Sequence, residues 1–209
     1  MHLDERGVAR ITLDDPATRN ALSTAALREL QQDLAGLGEN PAIRVVVLTG
    51  AGTTFSSGAD RKEIGDPDTV VELTRLTEAV TATLAALPQP AVARVNGPAF
   101  GGGLAIVAAC DLAIAATSAV FAYPEVRFGL VAGLAMATAR PRLTDTAMLD
   151  LFLTGRRFDA TEAVALGLLT RVVPDTELDA CVDAVVNDLI SGDAAALAAT
   201  KRAIRELVR

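Results

Sequence analysis

The sequence of 209 residues contains one histidine, two cysteines and no tryptophan. His2 lies at the start of the chain, where we expect a frayed terminus, so Ser-His or Cys-His catalysis and a histidine-rich metal site are excluded. Cys110 and Cys181 lie in apolar segments without metal-ligand spacing, which indicates buried reduced thiols. The chemistry that remains is proton transfer by carboxylates and hydrogen bonding by backbone amides.

The sequence also has no excess of basic residues. Acidic residues outnumber basic ones by 26 to 19, a net charge of −7, which argues against a nucleic-acid partner. The segment GAGTTFSSG has no lysine where a P-loop requires one, and no dinucleotide-binding fingerprint follows the first strand. Nucleoside triphosphate and dinucleotide chemistry are therefore not expected.

No apolar run in the sequence reaches the roughly 20 uninterrupted residues that cross a bilayer. The start MHLDERG is charged and lacks the apolar core of a secretory signal. We therefore expect a cytoplasmic protein with no membrane partner. Apolar residues make up 51% of the chain, and its length is that of one domain with a substantial core.

Alternating apolar residues predict a strand over residues 7–13. Ser23 is the expected N-cap of the helix that follows. A second helix is predicted from about residue 69 to residue 87, and strands are predicted in IRVVVLTG before it and in PAVARV after it. The first helix is expected to place four leucines on one face: Leu27, Leu30, Leu34 and Leu37.

This alternation of strands and helices predicts an α/β architecture with mostly parallel strand pairing over residues 1–143. From residue 144 to residue 209 the patterns are helical, and no linker or repeat separates the two regions. We expect a single compact domain with a helical C-terminal region.

Three consecutive glycines, Gly101, Gly102 and Gly103, lie between a predicted strand and a segment that begins as a helix former. Glycine lets the backbone turn through positive φ or approach a ligand closely, and it is costly inside a helix. At the start of a helix, unpaired N–H groups face outward and the helix dipole favours negative charge. The turn therefore predicts an anion or oxyanion site. The basic residues near the glycine-bearing turns are Arg19, Arg61, Lys62 and Arg94.

Five segments follow one another in a register that is typical of one family. They are RNALS, VVVLTGAGTTFSSGADRKE, PQPAVARVNGPAFGGGLAIVAACDLAIAA, FAYPEVRFGLV and LTGRRFDATEAVALGLLTRVVP. Together they resemble the signatures of the enoyl-CoA hydratase/isomerase family, the crotonase superfamily. The resemblance implies a crotonase-like spiral of ββα units followed by a helical region, usually assembled as homotrimers or as hexamers built from two trimers. The chain resembles a short member that lacks the usual C-terminal helices, which contribute to the trimer contact and cover the ligand site.

The resemblance also implies a site for an acyl-CoA thioester. The N–H groups of Ala59 and Gly102 would bind the thioester oxygen, while coenzyme A belongs to the substrate and no separate cofactor or metal is implied. In the same matched motifs, capping and loop fixation are the expected roles of Asp60 and Asp111. The further residues expected at the substrate are Arg19, Ala21, Gly58, Asp60, Gly101 and Ala105, with Arg19 near the phosphates.

Hydratases of the family typically have two glutamates, and this sequence keeps one. Ala105 stands where the first is expected, and Glu125 in YPEVRFG matches the second. Glu125 is expected to project beside Ala105 into a partly dehydrated pocket, which would raise its pKa. One carboxylate suffices to isomerise a double bond, and it can support hydration if backbone groups hold the water. The alternative is a non-catalytic acyl-thioester-binding or accessory subunit.

Overall fold

The computed structural model describes residues 1–207 as an α/β fold built on one large sheet. This sheet has the strand order β1-β2-β3-β4-β6-β9, and every neighbouring pair is parallel except β1 and β2. The predicted α/β class with mostly parallel pairing is confirmed. The strands are His2–Leu3 (β1), Val8–Leu13 (β2), Val45–Gly50 (β3), Ala91–Val95 (β4), Ala99–Phe100 (β5), Leu112–Ala116 (β6), Val120–Ala122 (β7), Phe158–Asp159 (β8) and Arg171–Val173 (β9).

Helices cover both faces of the large sheet. Along β3, Val45 and Val47 pack with α7 in one apolar cluster, while Val46 and Leu48 belong to the larger cluster with α1, α2 and α3. Successive strand residues point to opposite faces, so a nearly continuous run of apolar residues is buried on both sides. The helices are Thr24–Leu34 (α1), Pro67–Ala86 (α2), Gly102–Ala109 (α3), Gly133–Ala139 (α4), Asp145–Thr154 (α5), Ala160–Ala165 (α6), Leu178–Ser191 (α7) and Ala194–Leu207 (α8).

Strands of the large sheet are followed by a short extended segment and then a helix. β4 leads through β5 into α3, and β6 leads through β7 into α4. The short strands form a second sheet in the order β5-β7-β8. Isolated bridges between Leu22 and Ala59 and between Ser56 and Ala99 continue this second layer. The arrangement corresponds to the expected ββα units.

The ends of two helices differ from the sequence prediction. The Ser23 cap is confirmed by a hydrogen bond from the Ala26 N–H to its side chain, but α1 ends at Leu34 and Leu37 opens a separate 3₁₀ turn. Helix α2 begins two residues earlier than predicted, because Asp66 accepts a hydrogen bond from the Thr69 N–H and Pro67 suits the first helical turn.

The region from residue 144 onward is mostly helical but also supplies strands. β9 extends the large sheet by pairing with β6, and β8 pairs with β7. At the other end of the chain, the prediction of a frayed terminus at His2 is wrong, because His2 pairs with Arg10 across β1 and β2. Among residues 1–207, no helix combines the length and apolar character required to cross a membrane.

Candidate active site

A cleft of about 570 Å³ opens where the glycine turn meets the loop after β3 and the 3₁₀ turn Glu125–Phe128. Its volume is within the range typical of small-molecule sites. Segments far apart in sequence therefore meet at one place. The cleft is lined by eight of the nine residues predicted for the site: Arg19, Ala21, Gly58, Ala59, Asp60, Gly101, Gly102 and Glu125.

Ala105 is the exception, and its prediction as a residue of the substrate site is not supported by its position. It is fully buried in the apolar core of α3 and does not line the cleft. Its side chain is a single methyl group, which ends among core residues. At this position the chain supplies packing and no polar group.

At each of the three glycines, an added Cβ would come close to an atom of a neighbouring residue. A Cβ on Gly101, whose φ is +50°, would lie 2.9 Å from Oε1 of Glu125. On Gly103 it would lie 2.6 Å from the Cβ of Ser56, and on Gly102 it would lie 3.2 Å from a methyl carbon of Leu22. The turn thus brings the start of α3 against the neighbouring loop and leaves room for the Glu125 carboxylate.

Two backbone N–H groups in the cleft have no acceptor among the residues that the structure describes. Gly102 is the first residue of α3, and the preceding N–H, that of Gly101, already donates to the Ala122 carbonyl at 3.0 Å. Around Ala59, the Leu22 N–H donates to the Gly58 carbonyl and the Asp60 N–H to the Leu22 carbonyl, a pattern that leaves the Ala59 N–H unused. Both groups are therefore available to a ligand, one of them at a helix N-terminus that favours negative charge.

A buried amide holds the loops that carry these donors. Asn20 has a positive φ of 56° and is 2% exposed. Its Nδ2 donates to the Thr54 carbonyl at 2.7 Å and to the Ala51 carbonyl, while its Oδ1 accepts from the Asp15 N–H. Ser56 completes the support by donating to the Asn20 carbonyl. Sequence reasoning missed Asn20, although it stands in the RNALS segment.

Glu125 is half-buried beside Gly101, at the start of its 3₁₀ turn. Burial raises the pKa of its carboxyl group above the ordinary value, against a smaller lowering by a hydrogen bond from its own backbone. Its Oε2 is buried and has no hydrogen-bond partner in residues 1–207. The predicted direction of the pKa shift is confirmed. A desolvated carboxyl of this kind is suited to accept and return a proton.

Four arginines line the cleft: Arg19, Arg61, Arg127 and Arg157. The Arg61 guanidinium lies 5.7 Å from the ring centre of Phe128. Of the other basic residues noted in the sequence, Lys62 does not line the cleft, and Arg94 is bound to Asp179 at 2.6 Å. Sequence reasoning missed Arg127 and Arg157, although they lie in the matched EVRFG and GRRFDA segments.

Asp111 lies outside the cleft and has a structural role, as expected. Its carboxylate accepts a hydrogen bond from the Ala91 N–H and pairs with Lys201 at 2.7 Å and with Arg205 at 2.9 Å. Asp60 lines the cleft, and its carboxylate caps the Lys62 N–H at 2.9 Å.

Both cysteines are free thiols, but the predicted burial is confirmed only for Cys110. Cys110 is fully buried, and burial raises its pKa to about 12, with a further contribution from the Asp111 charge. Cys181 is half-buried.

Comparison with known proteins gives one consistent family. The family model of enoyl-CoA hydratase/isomerase matches residues 4–209. A probable enoyl-CoA hydratase of Mycobacterium bovis is 41% identical over 186 residues, which cover 83% of this chain and 65% of that protein. The chain thus spans slightly less than two thirds of the length of this curated relative.

Solved structures match the fold of this chain over its full length. An enoyl-CoA hydratase of Mycobacterium smegmatis is 33% identical with a TM-score of 0.95, and the match covers 100% of this chain and 82% of that one. A Thermobifida fusca protein solved in complex with CoA is 34% identical with a TM-score of 0.88, over 100% of this chain and 84% of that one. The ββα architecture is therefore that of the crotonase fold, and the chain belongs to the enoyl-CoA hydratase/isomerase family.

Proposed function

We propose that this protein is an acyl-CoA enzyme that converts an enoyl-CoA by double-bond isomerisation or hydration. The observation that carries the proposal is the meeting of two unused amide donors and one desolvated carboxyl group in a single cleft. The names of the relatives support the same reaction class.

The N–H groups of Ala59 and Gly102 form the oxyanion hole in this proposal. They donate to the thioester oxygen, on which negative charge grows as the thioester becomes an enolate. Each fixed donor of this kind lowers the activation barrier by roughly 3 kcal/mol, which accelerates the reaction about 10²-fold. The N-terminus of α3 adds its partial positive charge at the same oxygen.

Glu125 carries the proton. In isomerisation of a 3-enoyl thioester, its carboxylate removes a proton from C2, and the electron pair moves to the thioester oxygen. The resulting dienolate then takes the same proton from Glu125 at C4, and the double bond lies between C2 and C3. Its unpartnered Oε2 and raised pKa support this exchange.

Hydration uses the same groups. A water oxygen adds to C3 of a 2-enoyl thioester while Glu125 accepts a proton from that water. The enolate formed at the oxyanion hole then receives the proton from Glu125 at C2. Because Ala105 offers no carboxylate, backbone groups would have to hold the water, so isomerisation makes fewer demands on this site.

Coenzyme A enters this proposal as part of the substrate, with Arg19 near its phosphates. The CoA complex of the Thermobifida fusca relative supports the ligand class. Guanidinium groups suit phosphates because they donate two parallel hydrogen bonds. The proposed chemistry uses no metal and no separate cofactor.

The protein is further proposed to form a homotrimer or a hexamer, as the family resemblance implies. Support comes from large apolar side chains that are exposed on the 3₁₀ turn after β7, the segment following it and α5. They are Val126, Phe128, Val131, Leu149 and Leu153.

The decisive experiment is an assay of a panel of 2-enoyl-CoA and 3-enoyl-CoA thioesters with the wild-type protein and Glu125→Gln. We expect turnover of at least one class by the wild type and a loss of about 10² to 10⁴-fold in kcat for the variant. Binding of the saturated thioester should remain nearly unchanged, because glutamine keeps the shape of the side chain.

Asp60→Asn is the competing variant in the same cleft. If Glu125→Gln kept wild-type turnover while Asp60→Asn lost it, the proton carrier would be assigned wrongly. Thioester binding without any turnover by the wild type would instead support the alternative of a non-catalytic accessory subunit.

A further inference from the structure

The fully buried residue Ser56 contacts both segments that carry the unused amide donors. It lies in the loop after β3, which also contains Ala59. Its hydroxyl donates to the Asn20 carbonyl at 2.8 Å and accepts from the Gly58 N–H at 3.2 Å. Because Gly58 directly precedes Ala59, the Ser56 hydroxyl holds the segment that carries the first donor.

The same residue holds the segment that carries the second donor. The Ser56 carbonyl accepts from the Phe100 N–H at 3.0 Å, and an isolated bridge pairs Ser56 with Ala99. A Cβ added to Gly103 would lie 2.6 Å from the Cβ and 2.8 Å from the hydroxyl oxygen of Ser56. Phe100 and Gly103 lie on either side of the turn that presents the Gly102 N–H, so Ser56 contacts both ends of this turn.

The Ser56 hydroxyl satisfies two buried backbone groups at once. In residues 1–207 the Gly58 N–H has no second acceptor and the Asn20 carbonyl has no second donor. A serine hydroxyl has one donor hydrogen and two acceptor lone pairs, so a single oxygen pairs with both. A methyl group in its place would leave both groups unpaired, which is costly in a buried site. We therefore expect the Gly58 segment to move when the hydroxyl is removed.

Such a movement would change the separation of the two donors, because their segments touch backbone to backbone. Gly58 has a φ of +85°, and a Cβ added to it would lie 2.7 Å from the Phe100 carbonyl oxygen. On the other side, Gly103 approaches Ser56 closely enough to exclude any side chain of its own. Close-packed groups of this kind transmit a displacement to their neighbours.

We propose that Ser56 is a positioning residue of the oxyanion hole, which fixes the Ala59 and Gly102 N–H groups at the separation that lets both donate to one oxygen. This inference rests on the proposed function, because it assigns a residue to the reaction of that site. Ser56 does not line the cleft, so it acts through the two donors and does not touch the substrate. Groups that act together must be held within roughly 0.5 Å of the productive geometry.

The test measures the polarisation of a bound thioester carbonyl, which does not depend on turnover. Infrared difference spectra would be recorded for butanoyl-CoA, isotope-labelled at the thioester carbonyl carbon, bound to the wild type and to Ser56→Ala. We expect the carbonyl stretch to move to lower frequency on binding to the wild type, and this shift to be smaller in the variant. The dissociation constant should stay nearly unchanged, because the Ser56 side chain does not line the cleft.

Turnover provides a second measurement. In Ser56→Ala, kcat for the enoyl-CoA substrate should fall roughly 10- to 100-fold at nearly unchanged KM, since the donors matter most when charge develops on the oxygen. Ser56→Cys keeps a group that donates and accepts weakly, so its carbonyl shift should lie between those of the wild type and Ser56→Ala.

Thr144→Ala provides the control. It removes a hydroxyl that likewise accepts from a backbone N–H, that of Ala147 at the start of α5, and Thr144 does not line the cleft. This variant should lose stability but keep the wild-type carbonyl shift and kcat. An equal reduction of the shift in Thr144→Ala and Ser56→Ala would overturn the inference, because destabilisation alone would then explain it.

A wild-type carbonyl shift in folded Ser56→Ala would also overturn the inference. If Ser56→Ala does not fold, a wild-type shift in Ser56→Cys would overturn it instead. The same conclusion would follow from a bound wild type without any shift, since the two N–H groups would then not bind the thioester oxygen. Failure of the proposed function is distinguishable, because it would appear as a carbonyl shift that depends on Ser56 in a protein that converts none of the enoyl-CoA thioesters.

Discussion

At the scale of single residues, Glu125 combines a demand of the proposed chemistry with a cost to folding. Its pKa is raised in the folded protein because burial disfavours the ionised form. The folded state therefore holds the proton more tightly than the unfolded chain. The contribution of this group to stability is fully present below the ordinary glutamate pKa and is lost as the pH rises through the raised value.

This reasoning predicts that Glu125→Gln unfolds at a higher urea concentration than the wild type at about pH 8. The difference should shrink at about pH 4, near the ordinary glutamate pKa, where the wild-type carboxyl is largely protonated in both states. Urea unfolding at the two pH values measures it. Glu29→Gln, at an exposed position of α1, is the control. A variant less stable than the wild type at about pH 8 would contradict the prediction.

Gly101 is the second residue on which the site depends. Gly101→Ala should lower turnover by roughly 10-fold or more, because the new methyl group would displace the Glu125 carboxylate from its position. The Gly101 backbone, with a φ of +50° and a ψ of −119°, lies in a region that alanine rarely adopts, which adds strain of roughly 1–3 kcal/mol to the variant. Gly36→Ala is the control for a positive φ without a steric contact, since Gly36 has a φ of +75° and nothing lies within 4 Å of its added Cβ. Steady-state kinetics and thermal unfolding of both variants provide the measurement: a Gly101→Ala variant that is less stable but keeps wild-type turnover would contradict the prediction.

At the scale of elements, charged side chains hold α8 against the rest of the protein. None of its described residues is buried, yet Lys201 and Arg205 both reach the Asp111 carboxylate after α3. Lys201 also donates to the Leu84 and Gln89 carbonyls, and its side chain is only 9% exposed. Burial lowers the Lys201 pKa, and the Asp111 charge opposes that shift. Helix α8 is thus held by one acid in the middle of the chain together with backbone carbonyls.

We predict that Asp111→Asn lowers the free energy of unfolding by about 3 kcal/mol, because it leaves a buried ammonium without its anion. Denaturant unfolding provides the measurement. Adding Lys201→Met should recover part of the loss, since an apolar side chain replaces the uncompensated charge. Asp183→Asn removes an exposed partner of Arg10 and should cost no more than about 1 kcal/mol. A loss at Asp111 as small as that at Asp183 would show that α8 is held by other contacts.

At the scale of the whole molecule, charge and apolar surface are unevenly distributed. The chain is acidic overall, but four guanidiniums line one cleft. Next to the 3₁₀ turn that begins at Glu125, exposed Leu149 and Leu153 stand one turn apart on α5, and Val126 packs near Gly155. Exposed apolar side chains gathered in one region are typical of an interface between proteins. The proposed homo-oligomer would bury this surface.

The exposed apolar surface leads to a prediction of the oligomeric state in solution. Size-exclusion chromatography with light scattering should give a trimer or a hexamer for the wild type. Leu149→Glu with Leu153→Glu should shift the mass toward the monomer, because burying two carboxylates is costly. Ile204→Glu, at an exposed apolar position of α8, is the control. A monomeric wild type, or a double variant with unchanged mass, would count against this surface as the interface.

The sequence by itself determined the α/β class, most element positions and the segments that carry the site. These features depend on local information: the apolar period of a strand or helix, the Ser23 cap and the glycines at a turn. Glu125, Ala59 and Gly102 could be named because they lie in motifs that resemble one family. The apolar pattern did not predict two helix boundaries correctly: the start of α2, which follows the Asp66 cap, and the end of α1 at Leu34.

Only the tertiary structure decided which of these segments meet. It placed Ala105 in the core, brought β9 into the large sheet beside β6, and brought Lys201 to Asp111. It also put Arg157 over Phe100, a contact that neither segment indicates alone. The physical reason is that such contacts join residues far apart in the chain, and packing of the whole core selects them together.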